Sequence, residues 1–122
     1  MADEDRIELL GLQVMGICGA LPEERERPQP LEIDLTVDAD LALAGRTDDL
    51  ADTIDYGAIC DAVVAVVEGG APQLLEQLAA DVAAVVLDLD ERITRVVVTV
   101  NKLRPPVPHA LRTSGVCIVR TR

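Results

Sequence analysis

Phenylalanine and tryptophan are missing, and Tyr56 is the only tyrosine in the 122 residues. Aromatic rings normally supply large packing areas, so this core has to be built from Leu, Val, Ile and Ala. A small aliphatic core is marginal alone, and association with further copies would help to stabilise it. The same scarcity draws attention to Tyr56, since a chain with no other ring does not keep this one merely for bulk. Histidine is as scarce: His109 stands alone, and Cys18, Cys60 and Cys117 are far apart with no C-x-x-C pair. Zinc sites need clustered Cys and His ligands, so a zinc site within this chain is not expected. An odd number of separated cysteines fits reduced, mostly buried thiols better than a disulfide framework.

No apolar run approaches the roughly 18–20 residues of a membrane span, and no basic segment precedes an apolar stretch near Met1. A soluble, cytoplasmic protein is the expectation. Positive charge is also short, with 11 Lys and Arg against 22 Asp and Glu and a formal net charge of -11. Such a surface repels nucleic acid and anionic membrane, so neither is expected as a partner. The length suits one domain spanning residues 1–122.

Periodicity supplies the elements. Residues 6–18, "RIELLGLQVMGIC", read as a strand in which Gly11 and Gly16 mark a bulge or a close approach. "GALPEERERPQP" reads as a loop. In "LEIDLTVDADL", Leu31, Ile33, Leu35, Val37, Ala39 and Leu41 alternate with polar residues, the pattern of a half-buried antiparallel strand. "AGRTDDLADTID" is a polar connector. Ile59, Val63, Val66 and Val67 recur at helical spacing up to Gly69-Gly70. A second helix is expected to open at Pro72, with Leu75, Leu78, Ala79, Val82 and Val86 on one face. "ERITRVVVTVNK" and "SGVCIVRTR" are the third and fourth strands. The order β-β-α-α-β-β predicts an α+β layer: a four-stranded antiparallel sheet with two helices on one face. Its free edges would favour strand-to-strand assembly into a ring.

Four polar residues fall at element ends, and each also has a plain structural reading. Lys102 closes the third strand, where a lysine is ordinarily a solvated surface cation. Glu24 lies in "PEERER", where a solvated charge run is the usual reading. Glu76, in the opening turn of the second helix, would complement the helix dipole. Tyr56, at the start of the first helix, could pack against a neighbour. Together, two carboxylates, a phenol and an amine can bind an amide-rich ring and move protons.

The segments "RIELLGL", "GALPEERERPQPLEIDLTV", "TDDLADTIDYG", "LLEQLA" and "VTVNKLRPPVP" occur in the order and spacing of one family. In these the chain resembles the dihydroneopterin aldolases of folate biosynthesis, over almost its whole length. The resemblance implies the tunnelling fold, in which subunits join their sheets into a tetrameric barrel and two barrels stack as an octamer, with active sites between subunits. It implies a pterin substrate, with Glu76 anchoring the pterin and the backbone of Leu75 completing the pocket. Glu24 and Tyr56 would contact substrate, the tyrosine from a neighbouring subunit. Lys102 would be the general acid and base, assisted by Tyr56, in retro-aldol cleavage without metal, organic cofactor or Schiff base.

Two departures stand out. Many members carry a histidine before the glycine of the first loop, where this chain has Cys18, and Leu103-Arg104 precede the prolines after Lys102. A small filler is the simpler reading of Cys18, against a reactive thiol. Epimerisation at C2′, action on dihydroneopterin triphosphate, a non-catalytic pterin- or purine-binding oligomer, and an acidic interaction domain without ligand are the alternatives. Size in solution separates the last from the rest, because the family reading needs an assembly.

Overall fold

A computed structural model describes residues 5–122; Met1 and the residues beside it, where a basic leader segment was sought, lie outside that range. The chain runs β1 (Arg6–Gly16), α1 (Pro22–Glu26), β2 (Gln29–Asp38), α2 (Ala42–Thr47), α3 (Tyr56–Gly69), α4 (Leu75–Leu89), β3 (Arg95–Lys102) and β4 (Ser114–Thr121). A single 3-10 turn at Leu50–Asp52 joins α2 to α3. The strands form one sheet in the order β1-β2-β3-β4, every neighbouring pair antiparallel.

The alternation in β2 has the expected result. Leu31, Ile33, Leu35 and Val37 are fully buried on one face, while Glu32, Asp34 and Thr36 on the other are only half-buried. β3 pairs so that Val96, Val98 and Val100 lie beside Val37, Leu35 and Ile33, and Lys102 beside Leu31. Its inward positions are therefore three valines and then a lysine. α3 lies against β1, and α4 against β3 and β4, with the two helices in contact. Ile59, Val63 and Val67 of α3 and Leu78, Ala79, Val82, Ala83 and Val86 of α4 close the core over the inward face.

In β1 the expected irregularity is present. Leu9 faces Leu35 and Leu12 faces Ile33, so Leu10 and Gly11 together oppose Asp34. Gly11 sits at φ +79, and its N–H donates to the Asp34 carboxylate at 2.7 Å. That left-handed backbone suits glycine, and the extra residue is a bulge. The close approach is at Gly16, where a Cβ would come within 2.6 Å of Val67 Cγ1.

Other expectations need correction. The "GALPEERERPQP" loop contains α1, and the polar connector contains α2 and the 3-10 turn. α4 opens at Leu75, not Pro72. The Pro72 carbonyl already accepts from the Gly19 N–H at 3.2 Å and from the Arg25 guanidinium at 3.1 Å, so it holds the loops together and opens no helix. β2 ends at Asp38, although Ala39 remains buried, and β3 begins at Arg95, preceded by the buried Ile93. The cysteines differ too: Cys18 is buried, Cys60 is half-buried and Cys117, on the edge strand β4, is exposed.

Candidate active site

Lys102 follows the strand period of β3 inward, and only 9% of it is exposed. A buried ammonium requires a partner, which comes from α1. Lys102 Nζ donates to Glu24 Oε2 at 2.7 Å, and the Glu24 side chain is itself 9% exposed. Pro22 fits the first turn of α1 because its missing N–H would have had no partner there. The N–H groups of Glu24 and Arg25 both donate to the Leu21 carbonyl, at 3.0 and 3.2 Å. This turn sends Glu24 back across Gly19, where any Cβ would collide with the Glu24 carboxyl group. The "PEERER" run is thus not uniformly solvated: its second glutamate is buried in an ion pair.

Gln29, the first residue of β2, donates from one amide nitrogen to the Cys18 carbonyl at 2.9 Å and to Glu24 Oε2 at 3.2 Å. Burial pushes the Glu24 carboxyl group upward, but hydrogen bonds from Lys102 and Gln29, the Lys102 charge and the Leu21 N–H outweigh it. The net result is a pKa below the ordinary 4.5, so Glu24 is an anion at neutral pH. Cys18 is fully enclosed beside this pair. Burial raises its pKa; Lys102 and Arg25 pull it down, Glu24 and Glu76 push it up, and the balance stays upward. The thiol remains protonated, as suits a small filler.

α4 opens at this same end of the sheet, just past Pro72. The hydrogen bonds from Gly19 and Arg25 to Pro72 hold it there. Leu75 is half-buried against the core, and Glu76 is exposed in the first turn of α4. Glu24, Leu75, Glu76 and Lys102 therefore share one end of the subunit.

Tyr56 does not join them. It opens α3 after Asp55, whose carboxylate accepts from the Gly57 and Ala58 N–H groups at 3.0 and 3.3 Å. The ring is 62% exposed. It lines an open cleft of about 500 Å³ with Ile7, Leu50, Thr53, Ile54, Asp55 and Gly57. Ile7 pairs with Val37 and Val37 with Val96, which puts the cleft at the far end of the sheet from Lys102. At about 3.3 Å per strand residue the separation is on the order of 20 Å. Within one chain the side chains of Tyr56 and Lys102 therefore cannot meet.

A family model described as FolB, dihydroneopterin aldolase, matches residues 7–119. The chain belongs to the dihydroneopterin aldolase family. A relative named dihydroneopterin aldolase from Streptomyces coelicolor is 39% identical over 118 residues, 97% of this chain and 98% of its own. Among solved structures, the FolB protein of Vibrio cholerae superposes with a TM-score of 0.91 at 28% identity, covering 99% of this chain and 100% of that one. The Escherichia coli dihydroneopterin aldolase, crystallised in complex with neopterin, gives 0.87 at 29% identity, covering 95% and 98%. The β-β-α-α-β-β architecture is thus the tunnelling fold of this folate-biosynthesis lyase family.

Sequence reasoning singled out Glu24, Leu75, Glu76 and Lys102 but passed over Gln29 and Arg25, the residues that fasten this end of an aldolase-family subunit. Gln29 carried a signal: it stands two residues before Leu31, on the inward side of the β2 alternation, where a polar residue needs a buried partner. Arg25 carried none, because its partners are main-chain carbonyls at Gly19 and Pro72. Among the described residues, no group of three or more His, Cys, Asp or Glu side chains could hold a metal ion. Among the same residues, no helix is long and apolar enough to cross a membrane.

Proposed function

We propose that this chain cleaves 7,8-dihydroneopterin into 6-hydroxymethyl-7,8-dihydropterin and glycolaldehyde, with Lys102 and Glu24 of one subunit and Tyr56 of a neighbour around the substrate. The observation that carries the reading is the buried Glu24–Lys102 pair at 2.7 Å, a carboxylate and an ammonium poised to exchange a proton with a third group. Glu76, exposed at the mouth of the same end, would accept the paired N–H donors of the pterin's aminopyrimidinone edge. The backbone of Leu75 would complete that pocket.

In this reaction the proton leaves the 2′-hydroxyl, the C1′–C2′ bond breaks, and C2′ departs as the aldehyde carbon. The electron pair moves into the pterin's own C=N bond, so Lys102 forms no covalent bond to the substrate. A proton then returns to C1′ and restores the ring. Lys102 in its free-amine form, its ammonium proton having passed to solvent, takes the first proton through a water; the ammonium so formed supplies the last, and Tyr56 assists that final transfer. The uneven placement of these residues fits an oligomer, a tetramer or octamer, in which the Tyr56 end of one subunit meets the Lys102 end of the next. A cytoplasmic location suits a metabolic enzyme of this class.

The deciding experiment is turnover of 7,8-dihydroneopterin by the purified chain and by Lys102→Ala, with pterin products separated chromatographically and glycolaldehyde assayed. Wild type should release both products. The variant should lose about 10²–10⁴-fold in rate, the usual contribution of one general acid or base, while still binding neopterin. A wild-type protein that binds pterin but releases nothing would leave a binding-only role.

A further inference from the structure

The amide of Gln29 joins three parts of the chain, and its orientation is fixed by chemistry. Both groups it faces, the Cys18 carbonyl at 2.9 Å and Glu24 Oε2 at 3.2 Å, can only accept. The NH₂ end alone can satisfy them, one hydrogen to each, so a flipped amide is excluded. The base of the side chain is equally fixed. Gln29 pairs with Gly16 across the sheet, and the carbonyl of Pro30 beside it accepts from the Leu103 N–H at 3.2 Å. The Leu103 bond also holds the chain just past Lys102.

Glu24, by contrast, stands on a five-residue helix. Among the described residues its Oε1 accepts only a long 3.4 Å bond from the Leu21 N–H, and its Oε2 receives Lys102 at 2.7 Å. Arg25 steadies the main chain here by donating to Gly19 and Pro72, but it does not reach the carboxylate. We propose that Gln29 is a positioning residue: anchored on β2, it fixes the rotation of the Glu24 carboxylate so that Oε2 faces Lys102 in the one geometry the reaction uses. This rests on the aldolase reading for its catalytic consequence, but not for its structural one.

The charged group that acts on Glu24 is Lys102 from β3, and the titratable group beside the pair is Cys18 from the preceding loop, which also feels Arg25 of α1 and Glu76 of α4. Replacing Gln29 by leucine leaves all of them in place and removes one uncharged donor. Gln29→Leu and Gln29→Met, which keep the bulk without the amide, would be compared with wild type in the full-length chain. Three readouts are needed: carbon-13 NMR titration of the Glu24 carboxyl, assigned with Glu24→Gln; kcat and KM for 7,8-dihydroneopterin; and thermal unfolding.

The expected result is a Glu24 midpoint at higher pH in both variants and an acid limb of kcat displaced the same way. The fall in kcat should be about tenfold, the worth of one hydrogen bond to a charged group, with a smaller change in KM. An unmoved Glu24 midpoint, or a rate that falls only with the folded fraction, would overturn the proposal. If leucine prevents folding, the more flexible methionine variant carries the test. If wild type fails to turn over dihydroneopterin, the aldolase reading falls, and the NMR midpoint still decides whether Gln29 governs Glu24.

Discussion

Burying Lys102 against Glu24 withdraws both charges from water, and the penalty is offset only while each has the other. Lys102→Met should therefore destabilise by about 3–5 kcal/mol, because it strands the Glu24 anion, whereas Glu24→Gln combined with Lys102→Met should lose much less. Urea titration of the two single variants and the double would show it, and additive losses would argue against a coupled pair. The pair also sets a pH dependence. Because the folded pKa of Glu24 lies below its ordinary 4.5, its contribution is fully present above that value and is lost as pH falls through the folded pKa. Asp90 adds a loss of the same sign, since its hydrogen bonds and ion pair with Arg92 outweigh burial and lower its pKa from 3.8. Glu24→Gln should thus flatten the acid side of the stability profile without abolishing it. Lys102 was legible in the bare residues to this extent: Val96, Val98, Val100 and Lys102 share one strand face, so a lysine that ends the run points inward. What the pattern could not supply was the partner, because Glu24 is 78 residues away in sequence.

Among the elements, those with a clean period were readable and those made by a few local hydrogen bonds were not. β2, α3 and α4 follow from alternation or helical spacing. α1 does not, because five residues between prolines carry no period, and a single turn held by the Leu21 carbonyl is enough to form it. The start of α4 escaped for a different reason: Pro72 suits a first helical turn, but its carbonyl is committed to Gly19 and Arg25, a tertiary choice that overrides the local preference. The bulge in β1 is the intermediate case, announced by a glycine and made definite by the register. Since nothing lies within 4 Å of a Cβ built at Gly11, its substitution by alanine isolates backbone strain from packing. Gly11→Ala should cost about 1–2 kcal/mol, the penalty of a left-handed non-glycine residue, and lower Tm by several degrees. An unchanged Tm would mean that the β1–β2 register shifts to absorb the residue and that Asp34 does not hold the bulge.

At the scale of the whole molecule, Tyr56 and Lys102 stand at opposite ends of the sheet. Among the described residues the outer edges of β1 and β4 have no partner strand, and Leu10, Met15 and Val119 are exposed on these strands. An aliphatic core without Phe or Trp gains by covering such edges with further copies. If assembly sets the cleft beside Tyr56 against the neighbour's Lys102, each complete site draws on two chains. Two defective variants should then repair each other. Tyr56→Ala retains an intact Lys102 half, and Lys102→Ala retains an intact Tyr56 half. After unfolding together and reassembly at equal amounts, about a quarter of the sites in a heterologous ring combine both intact halves. Activity towards 7,8-dihydroneopterin should return to about that fraction of wild type, while each variant reassembled alone stays at its own low rate. Size-exclusion chromatography of the mixture would verify that assemblies re-formed. Re-formed assemblies without recovered activity would show that Tyr56 and Lys102 do not serve one shared site. A wild-type chain that elutes as a monomer yet turns over substrate at full rate would count against the shared site more strongly still, since one subunit holds these groups some 20 Å apart by its strand length.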